Sequence, residues 1–207
     1  MRCEVLVLGI GNVLWADEGF GVRAVEALNA AYSFPPGVVL QDGGTLGLGL
    51  YEWVALARRV IVLDAIDFGL APGTLKVLHD SEVPAWGRTR MSPHQTGFND
   101  VLALAQLNGR APRDLLAIGV QPVELDDFGG SLRPEVKAQL PEAVKIAAQQ
   151  LAAWGFPGTP RVPGWPVPPL NAVSLSLDAY EFGRPSAADA CRQGDPRLLE
   201  RVVDEAD

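Results

Sequence analysis

Four side chains in this sequence have the right chemistry for metal-assisted hydrolysis: Glu18, Asp42, Asp64 and His94. Each carboxylate follows a short apolar run. Val5-Leu6-Val7-Leu8 leads through a glycine-bearing loop to Glu18, Val38-Val39-Leu40 leads to Asp42-Gly43-Gly44, and Val60-Ile61-Val62-Leu63 ends at Asp64. His94 stands in Ser92-Pro93-His94-Gln95-Thr96, just before a helical pattern. Two carboxylates and an imidazole brought together can ligate a divalent transition metal such as nickel or zinc, leaving positions open for water or substrate. Each residue also has an ordinary reading. Glu18 suits a helix start, where the dipole favours an acid. Asp64 suits a strand end, accepting backbone amides. Asp42 either orients a ligand histidine, binds substrate, or makes a common D-G-G turn. Isolated histidines are commonly structural, so the chemical reading depends on convergence in space. His79, beside Asp80, has no partner pattern and is read as a surface residue.

Other chemistries have less to work with. Gly9-Ile10-Gly11 begins like a dinucleotide loop, but the third glycine of that fingerprint would fall at Leu14. Asp17 and Glu18 at the helix start would repel a pyrophosphate, so no nucleotide cofactor is expected. No G-x-x-x-x-G-K-[ST], G-x-S-x-G or H-E-x-x-H occurs, and Asp42-Gly43-Gly44 lacks the residues of an aspartic-protease loop. With 25 carboxylates against 17 Lys plus Arg, the net charge is −8 and no basic run could track a phosphate backbone, which argues against nucleic acid.

The elements that must position the four residues alternate. Val5–Leu8 reads as a strand, followed by a helix with apolar residues at Val22, Val25 and Leu28 that runs to Tyr32. Val38–Leu40 is a second strand, and Leu48 to Ala55 has helical period. Arg59–Asp64 is continuously apolar up to its end, as expected of a parallel strand covered on both faces. Pro72-Gly73 marks a turn into a short strand, Leu75–Leu78, expected near the third strand and antiparallel at an edge. Residues 97–107 form a helix, Leu115–Val120 a fifth strand, and Arg133–Trp154 a long closing helix. The pattern predicts a three-layer, doubly wound α/β fold: a mostly parallel five-stranded sheet with helices on both faces. In such a sheet the loops leaving the carboxyl ends of the strands meet along one edge, which would gather Glu18, Asp42 and Asp64.

Apolar residues make up 48% of the 207 residues and charged residues 20%, ordinary globular usage with room for one sizeable core. From Phe156 six prolines crowd up to Pro169, which places an α/β domain at 1–155 and a Pro-rich extension at 156–207, with a short helix at Pro196–Val203. Met1-Arg2 runs straight into the first strand without a signal-peptide pattern, and no apolar stretch is long enough to span a bilayer. Cys3 and Cys191 form neither a disulfide framework nor a C-x-x-C pair. A cytoplasmic protein with no membrane partner is expected.

Leu8-Gly9-Ile10-Gly11-Asn12, Asp17-Glu18, Asp42-Gly43-Gly44-Thr45, Asp64-Ala65 and Ser92-Pro93-His94-Gln95, in that order and spacing, closely resemble the hydrogenase maturation endopeptidases. The resemblance covers about the first 155 residues. It implies an enzyme that removes a C-terminal extension from the large-subunit precursor of a nickel–iron hydrogenase after nickel insertion. It also implies that Glu18, Asp64 and His94 are the metal-contacting residues, with Asp42 an acidic residue beside them. The nickel is then expected to arrive with the precursor, and water activated by the metal or a carboxylate would cut, with Glu18 or Asp42 as the base. A monomer is expected, since a transient encounter with a large precursor needs no second subunit. The Pro-rich extension is the one departure from the family pattern, and it is expected to leave the site untouched.

Overall fold

The structure is a computed structural model that describes residues 3–83, 93–162, 164 and 166–184, with the backbone alone at 93–96. In chain order the elements are β1 (Cys3–Ile10), α1 (Phe20–Ala31), β2 (Tyr32–Ser33), β3 (Val38–Gly44), α2 (Tyr51–Leu56), β4 (Ala57–Ala65), β5 (Leu75–His79), α3 (Pro93–Leu107), β6 (Asp114–Val120), α4 (Pro134–Lys137), α5 (Leu140–Ala153), β7 (Thr159–Pro160) and α6 (Leu177–Gly183). Short 3-10 turns precede α1 at Ala16–Gly19 and α2 at Gly47–Leu50. The expected five-stranded sheet is present, in the order β3-β1-β4-β6-β5. Every pairing is parallel except β5 with β6.

Period-two alternation divides the core into two layers. Ile61, Leu63 and Ala65 of β4 point to the side of α1 and α5. Val60 and Val62 point to the side of α2 and α3, where they meet Val54, Phe98, Val101 and Ala105. With α1 on one face and α2 on the other, the chain leaves β1 in one direction for β3 and returns across it to β4. That reversal opens a crevice between the carboxyl ends of β1 and β4.

Close packing of α1 on the sheet depends on glycine. A Cβ on Gly21 would lie 2.0 Å from the Leu63 carbonyl oxygen, and one on Gly9 would lie 2.3 Å from the Gly21 oxygen. The Gly9 and Gly11 pair therefore serves a tight strand-to-helix turn, the structural reading of that motif.

Two details differ from expectation. The short strand β5 does not neighbour β4, because β6 is inserted between them. β4 is buried along most of its length and takes β1 and β6 as flanks, whereas in β5 only Leu78 is buried and Lys76 and His79 are exposed, which suits an edge. The closing helix is two helices, α4 and α5, interrupted at Ala138 and Gln139. Pro141 explains the break, since its ring would meet the carbonyl four residues earlier in a continuous helix. The helix expected at Pro196–Val203 and Cys191 lie outside the described residues. Among the described residues no helix is long and apolar enough to cross a membrane.

The described residues between 156 and 184 form a strap along α1. Arg161 donates its backbone N–H to the Ala31 oxygen, and its Nε donates to the Asn29 and Tyr32 oxygens at 2.9 Å each. These bonds satisfy carbonyls that the end of α1 leaves open and place a cation where the dipole favours one. Farther along, α6 docks through Lys137 Nζ on Glu181 at 2.8 Å, Ser131 Oγ on the same carboxylate, and Tyr180 Oη on the Gly130 oxygen.

Candidate active site

Glu18 and Asp64 meet at the crevice between β1 and β4. Glu18 lies in the 3-10 turn Ala16–Gly19, which packs against β4. Its backbone N–H bonds the Trp15 oxygen, and its own carbonyl fills the space above Gly11, where a Cβ would approach to 1.7 Å. Gly11 has φ +129°, a conformation that strains an L side chain, so glycine is required there for Glu18 to reach this position.

The turn is held by its other acid. Asp17 is fully buried, and its Oδ2 accepts the N–H groups of Val123 and Glu124 at 2.9 Å each, while Oδ1 accepts that of Arg133 at 2.6 Å. Three charge-assisted bonds make Asp17 the clamp between this turn and the loop after β6. Residue type and local pattern do not separate the two neighbouring acids, whereas burial does.

Asp64 is 3% exposed, at the end of β4. By alternation with Val60 and Val62 it faces the α2 and α3 side of the sheet. Burial pushes its carboxyl well above the usual carboxylate range; a hydrogen bond from the Ala65 amide opposes this, and the Glu18 charge adds to it. Its Oδ2 is buried with no hydrogen-bond partner among the described residues. A buried carboxylate with an orphan oxygen beside a second acid is poised to take either a proton or a cation.

Asp42 lies two strands away. Asp42 pairs in register with Gly9, and Gly9 with Leu63. Asp42 and Asp64 are therefore separated by about 10 Å across the sheet, two strand spacings. The Asp42 loop is an Asx turn closed by the Gly44 N–H on Oδ1 at 2.8 Å. His94 falls in the first turn of α3, and its side chain lies outside the described residues. The backbone nevertheless brings that turn to the site. A Cβ on Gly97 would lie 3.0 Å from the Gly47 Cα, so the start of α3 sits against the loop that follows Asp42. Among the described residues no three of His, Cys, Asp and Glu gather as a metal-ligand set. Glu18 and Asp64 come together, with Asp42 and the first turn of α3 flanking them. His79 is at the exposed end of β5, away from this edge.

The strap reaches the site, contrary to expectation. Asn171 Nδ2 donates to Asp42 Oδ2 at 2.9 Å and to Glu26 Oε1 at 2.7 Å, and Glu26 accepts from Arg23 at 3.0 Å. A contact across 129 residues leaves no local pattern. The one available signal was Arg23 itself, a charge among the apolar positions of α1, which is 3% exposed.

Comparison with known proteins agrees with the fold. The hydrogenase maturation protease family (HycI) matches residues 22–150. The hydrogenase expression/formation protein HupM of Azotobacter chroococcum is 56% identical over 197 residues, 95% of this chain and 93% of that protein. The hydrogenase 2 maturation protease of Escherichia coli is 41% identical over 159 residues, covering 76% of this chain but 96% of that protein. The solved structure of the Escherichia coli hydrogenase maturating endopeptidase HYBD superposes with a TM-score of 0.73 at 41% identity, over 78% of this chain and 98% of that one. The Azotobacter match is long enough to run through the strap, whereas the Escherichia coli proteins are used up with about a quarter of this chain left over. The chain belongs to the hydrogenase maturation protease family.

Proposed function

We propose that this protein is an endopeptidase that removes the C-terminal extension of a nickel–iron hydrogenase large-subunit precursor after nickel has been inserted. The observation that carries the reading is the Glu18 and Asp64 pair, in which a buried carboxylate at the open edge of the sheet keeps an oxygen without a partner among the described residues. Such an oxygen suits a cation delivered from outside, and the nickel of the precursor is that cation. Glu18, Asp64 and His94 engage it and so position the cleavage segment, which makes metal loading the condition for cutting.

Hydrolysis adds one water across the scissile amide. A base takes one proton from the water, the oxygen adds to the carbonyl carbon, the C–N bond breaks, and the leaving amine takes up a proton. Glu18 and Asp42 are the candidate bases. The partly exposed position of both is compatible with access to water.

The test mixes the purified protein with nickel-loaded and nickel-free precursor and follows each C-terminus by intact mass. Loss of a C-terminal peptide from the loaded form alone is the expected result. Complex formation with no loss from either form would reject the peptidase reading in favour of a nickel-sensing chaperone.

A further inference from the structure

Asp42 is held from two directions. Oδ1 accepts from Gly44 within its own turn, and Oδ2 accepts from Asn171 of the strap. The same Asn171 amide gives its second hydrogen to Glu26, whose other oxygen accepts from Arg23. Arg23 also donates to the Leu175 carbonyl, and its guanidinium lies 5.7 Å from the Tyr180 ring centre. A flipped Asn171 amide would set its oxygen against two carboxylates, so electrostatics dictate the orientation that donates to both. Without this amide the two acids would face each other with no donor between them. Leu175 meanwhile forms part of a cavity of about 240 Å³ whose lining includes Asp42, Gly11, Asn12 and Thr45. The strap thus supplies both a hydrogen bond and a wall at the β3 end of the site.

We propose that Asn171 is a positioning residue that orients Asp42 toward the precursor, making the strap part of the cleavage site. The proposal rests on the peptidase reading. The family match ends at residue 150, so the strap lies outside the part of this chain that matches the family model. Its effect belongs on how this enzyme holds its precursor.

The test uses the full chain with nickel-loaded precursor and compares Asn171→Leu, Asn171→Gln, Asp42→Asn and the Asp42→Asn, Asn171→Leu double variant. Asn171→Ala replaces the leucine if that side chain is not accommodated. Processing is measured under single-turnover conditions across enzyme concentrations, precursor affinity separately, and folding by thermal melting. Asn171→Leu is expected to lower cleavage efficiency about tenfold with a melting curve close to wild type, while Asn171→Gln, which keeps the amide, recovers most of the loss. In the Asp42→Asn background, Asn171→Leu is expected to change precursor affinity by less than about twofold, because its effect runs through Asp42. Wild-type processing by Asn171→Leu, or an equal loss of affinity in both backgrounds, would overturn the proposal. If the wild-type chain itself does not cut, the peptidase reading fails, and the affinity comparison still decides whether Asn171 acts through Asp42.

Discussion

In the proposed mechanism, the role of Asp64 opposes its contribution to stability. Its buried carboxyl has a folded-state pKa raised above the ordinary 3.8, chiefly by lost hydration. The folded state therefore binds this proton more tightly than the unfolded chain does. From about pH 3.8 up to the raised value, stability falls as pH rises, and above it the full cost of the buried charge remains. Asp64→Asn removes that cost. It should raise the melting temperature at neutral pH, by about 2–4 °C for each kcal/mol recovered, and flatten its pH dependence, while abolishing processing. Melting curves from pH 4 to pH 8 check the first part; an unchanged pH profile would mean that Asp64 is not strained. Glu18→Gln takes away the neighbouring charge and should likewise stop processing, as read by precursor mass. Full activity in that variant would remove Glu18 from the mechanism.

At the scale of elements, two packing arrangements keep the site together. The first is the glycine contact of α1 with β1 and β4. Gly21→Ala would push a methyl group to 2.0 Å from a strand carbonyl, and backbone cannot yield as a side-chain tip can. A loss of about 1–3 kcal/mol or more is expected, visible as a lower denaturation midpoint. Because the shift moves α1 and the turn before it, processing by the folded fraction should fall as well. The second is the docking of α6 on α4. Glu181 is partly buried, which alone would raise its carboxyl, but hydrogen bonds from Lys137 and Ser131 outweigh this and hold it below the usual range. A depressed folded-state pKa contributes stability that is present above the ordinary value of 4.5 and lost as pH falls through the lowered one. Hydrogen-exchange protection at 177–183, taken relative to the intrinsic rate at each pH, should fall on acidification in the wild type. Glu181→Gln should show fast exchange already at neutral pH; slow exchange there would mean that the ion pair does not hold the strap.

For the whole molecule, the proposed function divides labour between enzyme and substrate. The described residues contribute two convergent acids but no complete three-residue ligand set. If the nickel comes with the precursor, protein purified without chelators should carry far less than one metal per chain by elemental analysis. One tightly held metal per chain would instead locate the metal in the free enzyme. The net charge of −8 belongs to this scale too, since it argues against a polyanionic partner.

The alternation of apolar runs and helical periods was sufficient for the sheet, its parallel interior and its antiparallel edge, because periodicity reports directly which faces are buried. It also brought Glu18, Asp42 and Asp64 to one edge, since each follows the carboxyl end of a parallel strand. What it could not resolve depended on contacts between distant residues. Glu18 and Asp17 are adjacent acids, and only the three amides from 123, 124 and 133 make one of them structural. The position of β5 outside β6 was decided by which strands could be covered on both faces. The strap's bond to Asp42 joins a proline-rich segment to a turn 129 residues earlier, through an amide with no local pattern to mark it. Local periodicity can be read along the chain, whereas hydrogen-bond partners and burial are settled only when the chain closes on itself.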